Sequence, residues 1–407
     1  MNKKKATFDV ILNIIASAIP ILVLQLLILP IVARQTGDIQ YGLLITLVSL
    51  ATLLSHPFGN VLNNIRLLRH NEYDKNGLNG DYNVLLAASL LMNSLVMIFG
   101  TLYFEGTFSI ISIILIIMVA SSNLIREYLI VAFRITLNFK SILVNNLILG
   151  LGYVLGTIVF YFVGYWQLIY IVGSSLSIFY ITKNSNLLNE GFRTTILFRK
   201  TAYQSIILFF SVFLKTLLNY ADKLLLFPLL GPTAVTIYYT ATILGKIITR
   251  VITPINSVML SYLAKMEVMK LKNFIYIISI TGVISVIGYF ATIFISEPLL
   301  RILYPNWADE SLQLIYITTA STILGVMSSV INPFILRFYN INWQLFISGT
   351  NVIVYIICAF LFFNLYGLIG FCFGILVANI FKLLLMISIF LFNRQSHNKN
   401  HLDYKAM

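Results

Sequence analysis

The chain has 407 residues, of which 59% are apolar and only 10% are charged, and its mean hydropathy is +0.91. Soluble globular domains carry about 25% charged residues, so this composition excludes a soluble protein and predicts an all-α polytopic membrane protein. The formal net charge of +13 would suit a nucleic-acid-binding protein, but most of the basic residues lie in short loops, which argues against nucleic acid as a partner.

Apolar stretches of about 20 residues, the length needed to cross a bilayer, recur along the chain. The first six predicted spans are Phe8–Ala33, Tyr41–Ile65, Asn83–Phe104, Phe108–Phe133, Ile142–Val163 and Trp166–Thr182. The second six are Tyr203–Leu230, Ala234–Leu263, Asn273–Ser296, Ser311–Leu336, Gln344–Asn364 and Leu368–Asn393. We therefore predict a six-helix lobe over residues 1–182, a cytoplasmic inter-lobe loop over 183–200, a second six-helix lobe over 201–393 and a cytoplasmic tail over 394–407.

The basic residues outside the spans indicate the orientation. With a cytoplasmic N-terminus, 19 Lys and Arg residues fall in inside segments, and only Arg34 and Arg301 fall outside. This asymmetry follows the positive-inside rule and predicts that both termini are cytoplasmic. The outside loops are very short apart from 297–310, so they offer no domain for a catalytic site.

Ionisable residues inside the seventh and eighth spans form the main candidate site. In the seventh span Lys215, Asn219 and Asp222 share one helical face, and in the eighth span Lys246 and Arg250 are four residues apart. Residues 231–233 alone join the two spans, which predicts antiparallel neighbours. At 1.5 Å per residue from the outer ends, the carboxylate would lie about 12 Å deep and the three cations about 18–24 Å deep.

A charge inside a membrane span costs about 2.5–3.5 kcal/mol, so these groups need a polar place. Lys215, Lys223, Lys246 and Arg250 outnumber Asp222 four to one, which favours a cavity that faces an anion. The alternative is an internal ion pair of Asp222 with Lys223 or Lys246 that only holds helices together.

Three further residues are candidates for the cavity. Arg126 in the fourth span either contacts substrate or forms a structural pair with Glu127. His56 in the second span either lines the cavity through hydrogen bonds or relays protons. Lys382 in the twelfth span either lines the cavity or extends to the interface.

Sequence signals for enzymes are missing. The chain has no GxGxxG, Walker loop, HExxH or paired carboxylates, so we predict a transporter with no catalytic residues, no metal site and no cofactor. Without an ATP site, the energy would come from a proton or sodium gradient, or from the gradient of the substrate itself.

Two segments resemble the polysaccharide (O-antigen and capsule repeat-unit) flippases of the multidrug/oligosaccharidyl-lipid/polysaccharide exporter superfamily. One is Asp222 with a Leu-rich stretch that ends in Gly231, followed by Tyr238 to Ala241 and Pro254. The other runs from Pro30 to Gly37, followed by Tyr41, Gly42, Gly59 and Arg66. The resemblance implies two six-helix lobes that form a V around a central cationic cavity, with alternating access.

The combined interpretation is a flippase in a bacterial cytoplasmic (inner) membrane that translocates a polyprenyl-diphosphate-linked oligosaccharide for surface polysaccharide synthesis. In this interpretation Arg250, Lys246 and Lys215 hold the diphosphate, Asp222 orients or competes for them, and the lipid tail stays among the membrane lipids. Expected partners are a polysaccharide polymerase or glycosyltransferases. The alternatives are an ion-coupled multidrug exporter of the same superfamily and, less favoured, a membrane glycan polymerase or acyltransferase.

Overall fold

A computed structural model describes residues 15–263, 271–339 and 341–405. Side chains that lie outside the description are those of residues 250–255, 257, 258, 260–262, 341, 342, 345 and 392–405.

The described residues form long helices joined by short turns, and they contain no β-strand. We number the helices α1 (15–36), α2 (38–75), α3 (Asp81–Glu105), α4 (Ile110–Leu129), α5 (Phe139–Val163), α6 (Gln167–Lys183), α7 (198–230), α8 (232–263), α9 (Leu271–Leu303), α10 (Ala308–Phe338), α11 (341–365) and α12 (368–405). A short helix, Val131–Ile135, continues α4 after a break at Ile130. Residues 8–14 of the first predicted span lie outside the described residues, and the rest of that span and each of the other predicted spans overlap one of these helices.

Two of the chain reversals depend on glycine. Gly37, between α1 and α2, has φ +76° and ψ +177°, and Gly231, between α7 and α8, has φ +80° and ψ +178°. This region of backbone space is open almost only to glycine. The chain therefore turns at both points with almost no loop, and Pro232, which also interrupts helices, follows the second glycine.

The apolar surface is that of a membrane protein. Eight helical segments of the described residues are long and apolar enough to cross a bilayer, and three of them contain two helices joined at a kink. On α9, Val283, Ile287, Phe290 and Phe294 share one face and are 61–84% exposed. Such a stripe is unstable in water but suits lipid. The protein is a polytopic all-α membrane protein.

The chain divides into two compact units, Met1–Thr236 and Ile237–Met407. In the first unit α2 packs on α3 and α4, α4 packs on α6, and α5 packs on α1 and α6. In the second unit α10 packs on α9 and on the segment that holds α11 and α12, around rings such as Phe274 and Phe390, whose centroids lie 3.5 Å apart. The boundary falls at the start of α8, so α7 belongs to the first unit. The predicted lobe boundary at 183–200 stays a prediction.

The segment after α6 is fixed to the first unit by a buried carboxylate. Asp81, which is fully buried, accepts hydrogen bonds from the backbone N–H and the hydroxyl of Thr195 at 2.7 and 2.6 Å. The Tyr73 hydroxyl also donates to Asp81, at 2.6 Å. Nearby, Arg66 pairs with Glu190 of the same segment. These contacts set where α7 begins.

We expect Asp81→Asn to lower the free energy of unfolding by about 1–3 kcal/mol, because an amide cannot accept all three hydrogen bonds and leaves buried donors unsatisfied. The measurement is the melting temperature in detergent, together with the rate of proteolysis within 183–200. Asp74→Asn is the matched control, since Asp74 is exposed near the end of α2. Equal melting temperatures for the two variants would contradict this role of Asp81.

Candidate functional site

The predicted polar face of α7 divides into an exposed and a buried part. Lys215 and Asn219 are exposed. Asp222 and Lys223 form an ion pair in which the side chains are 10% and 2% exposed. The Lys223 ammonium also donates to the carbonyl of Asn219 at 3.2 Å and lies 5.6 Å from the ring centre of Tyr220. The structure thus contains the Asp222–Lys223 pair that the sequence leaves open as the alternative.

Of the two cations predicted in α8, Lys246 is the one whose side chain the structure describes. Its side chain is partly exposed, and its ammonium lies 4.9 Å from the ring centre of Tyr239 and 6.0 Å from that of Tyr238. Cation–π contacts of this length stabilise an ammonium that has lost part of its water shell. The side chain of Arg250 lies outside the described residues.

A small pocket opens beside Tyr238 in the second unit. Five of its lining residues carry a hydroxyl, namely Tyr238 and Thr242 of α8 and Thr318, Ser321 and Thr322 of α10, and the others are Cys372 and Ile375 of α12. The hydroxyls of Thr242 and Thr322 donate to backbone carbonyls at 3.1 and 2.9 Å, so their lone pairs stay available as acceptors.

Polar side chains along α10 serve helix packing as well as the cavity. Thr318 donates to the carbonyl of Ala241 on α8 at 3.2 Å, and Asn379 of α12 donates to the Ser321 hydroxyl at 2.8 Å. Ser328 is 1% exposed and donates within its own helix. Lys382, one turn after Asn379, is partly exposed.

A second polar cluster lies in the first unit, where α2 meets α4. Glu127 Oε1 is 3.3 Å from His56 Nδ1, and Glu127 Oε2 is 3.3 Å from Arg126 Nη2. The exposed fractions of these side chains are 42% for His56, 24% for Glu127 and 14% for Arg126. The structure therefore brings together two of the predicted site residues, His56 and Arg126, around one carboxylate.

Two features of α2 make this approach possible. A Cβ on Gly59 would lie 2.6 Å from the Cβ of Glu127, so only glycine lets α4 come this close. Asn63 Nδ2 donates to the carbonyls of Glu127 and Tyr128 at 2.9 and 3.4 Å, next to the break of α4 at Ile130. The amide thus supplies a donor where the helix ends.

Arg134 adds a further cation to this cluster. Its guanidinium donates to the side-chain oxygens of Asn63 and, at 3.0 Å, of Asn64. The sequence predicts Glu127 only as the alternative, structural partner of Arg126, a contact that the structure contains, and it does not predict Arg134. Glu127 follows Arg126 directly, but its partner His56 is 71 positions away, and single-sequence patterns carry no signal for that pairing.

The described residues contain no group of three or more His, Cys, Asp or Glu side chains that could hold a metal ion. What the clusters offer is positive charge and hydrogen-bond acceptors inside membrane-length helices. Charged groups in spans face protein or water rather than lipid. Such groups can bind the anionic and hydroxyl-bearing parts of an amphiphilic ligand.

Several solved structures share this fold. The lipid II flippase MurJ in an inward closed conformation has a TM-score of 0.69 and 14% identity, over 95% of this chain and 86% of that chain. An inward-facing multidrug resistance MATE family transporter of the MOP superfamily has a TM-score of 0.60 and 13% identity, over 94% of both chains. The eukaryotic MATE transporter AtDTX14 has a TM-score of 0.62 and 14% identity, over 95% and 96%.

No family model matches the sequence, and no curated protein matches it. Identities of 13–14% establish the fold alone. The chain therefore has the fold of transporters of the MOP superfamily, and its substrate must be argued from its own residues.

Proposed function

We propose that the protein is a flippase that translocates a polyprenyl-diphosphate-linked oligosaccharide across a bacterial cytoplasmic membrane by alternating access. The observation that carries the proposal is the position of Lys246 in the membrane-length helix α8. Its ammonium lies near the rings of Tyr238 and Tyr239, and Tyr238 also lines the pocket with its hydroxyl-bearing residues. A cation at this depth compensates the water that a diphosphate loses, and hydroxyl acceptors suit the sugars. Both termini would be cytoplasmic, next to the glycosyltransferases and the polymerase as partners.

The fold supports this proposal, because one of the similar structures is a lipid II flippase. Lys215, which is exposed, and Arg250, whose side chain lies outside the described residues, remain the residues predicted to hold the diphosphate together with Lys246. Asp222 is a weaker candidate for substrate contact, because Lys223 already pairs with it. Lys223 is accordingly removed from the set of cations that would face the diphosphate.

We expect Lys246→Gln to slow translocation at least tenfold, because it removes a charge-assisted contact to the diphosphate. The measurement uses proteoliposomes with a fluorescent polyprenyl-diphosphate disaccharide and a membrane-impermeant quencher that reports the leaflet of the probe. Lys246→Arg keeps the charge and should retain most of the rate. Lys200→Gln is the control for lost charge, since Lys200 is 59% exposed and pairs with Glu72. A normal rate for Lys246→Gln would contradict the proposal.

An ion-coupled multidrug exporter is the second candidate, favoured by the MATE transporters of the same fold. Exporters of cationic drugs need acidic cavity residues, whereas both described clusters carry excess cations. The same proteoliposomes, loaded with ethidium instead of the lipid probe, separate the two functions. Ethidium transport without lipid translocation would favour the exporter.

A further inference from the structure

The carboxylate of Glu127 contacts two basic groups, His56 and Arg126. The net charge of the cluster formed by His56, Glu127, Arg126 and Arg134 therefore depends on whether His56 carries a proton. One oxygen faces His56 and the other faces Arg126, each at 3.3 Å. A neutral imidazole can donate the same Nδ1–H bond to Glu127 as a charged one, so the contact survives a change of protonation. Protonation of Nε2 then adds one positive charge to the cluster without rearranging it.

The position of the cluster allows exchange of protons with water. His56 lies 15 residues after Tyr41, the predicted outer end of this span, so it is about 22 Å deep, in the inner third of a hydrocarbon core of about 30 Å. Its side chain is 42% exposed. A charged pair that is exposed at this depth faces a polar opening rather than lipid.

Other charged and titratable groups lie around the cluster. Arg134 follows α4, and Tyr153 on α5 interacts electrostatically with Arg126 and Glu127. Arg66 of α2 pairs with Glu190. Helix α7 packs on α2 through the stacked rings of Phe209 and Phe58, and it carries the exposed Lys215. With neutral His56, the charges of Arg126, Arg134 and Glu127 sum to one positive charge.

We propose that His56, Glu127 and Arg126 form a proton-linked anion site, at which uptake of one proton by His56 and binding of the substrate's diphosphate strengthen each other. Protonated His56 offsets Glu127, so Arg126 and Arg134 attract the diphosphate with their full charge. By linkage, the bound anion must favour the protonated imidazole equally. The proposal rests on the proposed function and assigns the proton as its linked ion.

The test measures binding of farnesyl diphosphate, a short polyprenyl diphosphate without sugar, to the purified full-length protein in nanodiscs. Affinities at about pH 6 and about pH 8 are compared, because histidine changes its charge in this range. We expect the ratio of the two affinities to be about tenfold larger for the wild type than for His56→Gln, as one added charge nearby provides. The ionisation of the ligand itself is common to all variants and cancels in this comparison.

Two more variants sharpen the result. Glu127→Gln should bind tightly at both pH values, because the negative charge is gone and the imidazole has lost its carboxylate partner. His70→Gln is the matched control, because His70 lies about four helical turns further along α2 and outside the cluster. This variant should keep the wild-type ratio. The melting temperature of each variant shows that it is folded.

The outcomes separate this proposal from the proposed function. A wild-type ratio in His56→Gln, or loss of the ratio in His70→Gln, overturns the proton-linked site while leaving the flippase intact. Looser binding by Glu127→Gln at both pH values also overturns the site, because it would mean that Glu127 contributes to the ligand contact rather than opposing it. No binding of the probe by the wild type at either pH overturns both.

Discussion

Asp222→Asn is expected to leave little folded protein in the membrane. The Lys223 ammonium, whose side chain is 2% exposed, would lose its charged counterpart and keep only neutral partners, among them the carbonyl of Asn219 and the ring of Tyr220. Breaking a buried pair by removing one partner costs about 3–5 kcal/mol. The measurement is the amount of monodisperse protein after extraction, with its melting temperature compared to the wild type.

A double variant separates packing from transport. Asp222→Leu combined with Lys223→Met removes both charges and should regain the wild-type melting temperature, because an apolar pair of similar volume replaces a buried ion pair at little cost. In the melting-temperature measurement alone, Lys215→Gln, on the exposed face of the same helix, controls for loss of a charge in α7. A folded double variant that translocates lipid would assign the pair to structure, whereas a folded but inactive one would return Asp222 to the substrate site. A fully stable Asp222→Asn would contradict the pair altogether.

The number and position of the helices could be predicted because lipid imposes a strict rule. Each crossing must satisfy its backbone within one helix of about 20 residues, so apolar stretches alone locate the spans. The turn at Gly231 follows from the prediction that residues 231–233 alone join two spans, whereas the turn at Gly37 is a finding of the structure. Their backbone angles explain why no other residue would serve there.

The direction of polar side chains could not be predicted to the same extent. Helical spacing shows that Thr318, Ser321 and Ser328 share a face of α10, but not whether that face meets a cavity or another helix. In the structure it does both, since Thr318 bonds to Ala241 and also lines the cavity. Spacing gives the face, and only the neighbouring helix determines its role.

The Asp222–Lys223 pair escapes the usual pattern for a different reason. Adjacent residues on a helix do not face each other, so periodicity assigns Asp222 to the face of Lys215 and Asn219. The long stem of Lys223 nevertheless brings its ammonium back to the carboxylate and to the carbonyl of Asn219. The same limit applies to His56 and Glu127, whose pairing depends on the close approach that Gly59 allows.

Gly42→Ala is expected to disrupt the packing of the first unit. An added Cβ would lie 2.5 Å from the carbonyl carbon of Pro232 and 2.9 Å from its Cα. The obstacle is backbone, which cannot rotate away as a side chain can. Two hydrogen bonds of 2.7 Å keep the same turns together, from the Thr233 hydroxyl to the Asp38 carboxylate and from the Thr236 hydroxyl to the Asp38 carbonyl.

Overpacking of a tight contact costs about 1–3 kcal/mol and more when backbone must move, so we expect a lower melting temperature and a lower yield of inserted protein. Gly282→Ala on α9 is the matched control, because nothing lies within 4 Å of the added Cβ, and the better helix propensity of alanine should raise stability slightly. If Gly42→Ala melted together with Gly282→Ala, the α1–α2 and α7–α8 turns would not be packed against each other in the folded protein. If Gly42→Ala folded but lost translocation, the contact would instead be one that the transport cycle has to make.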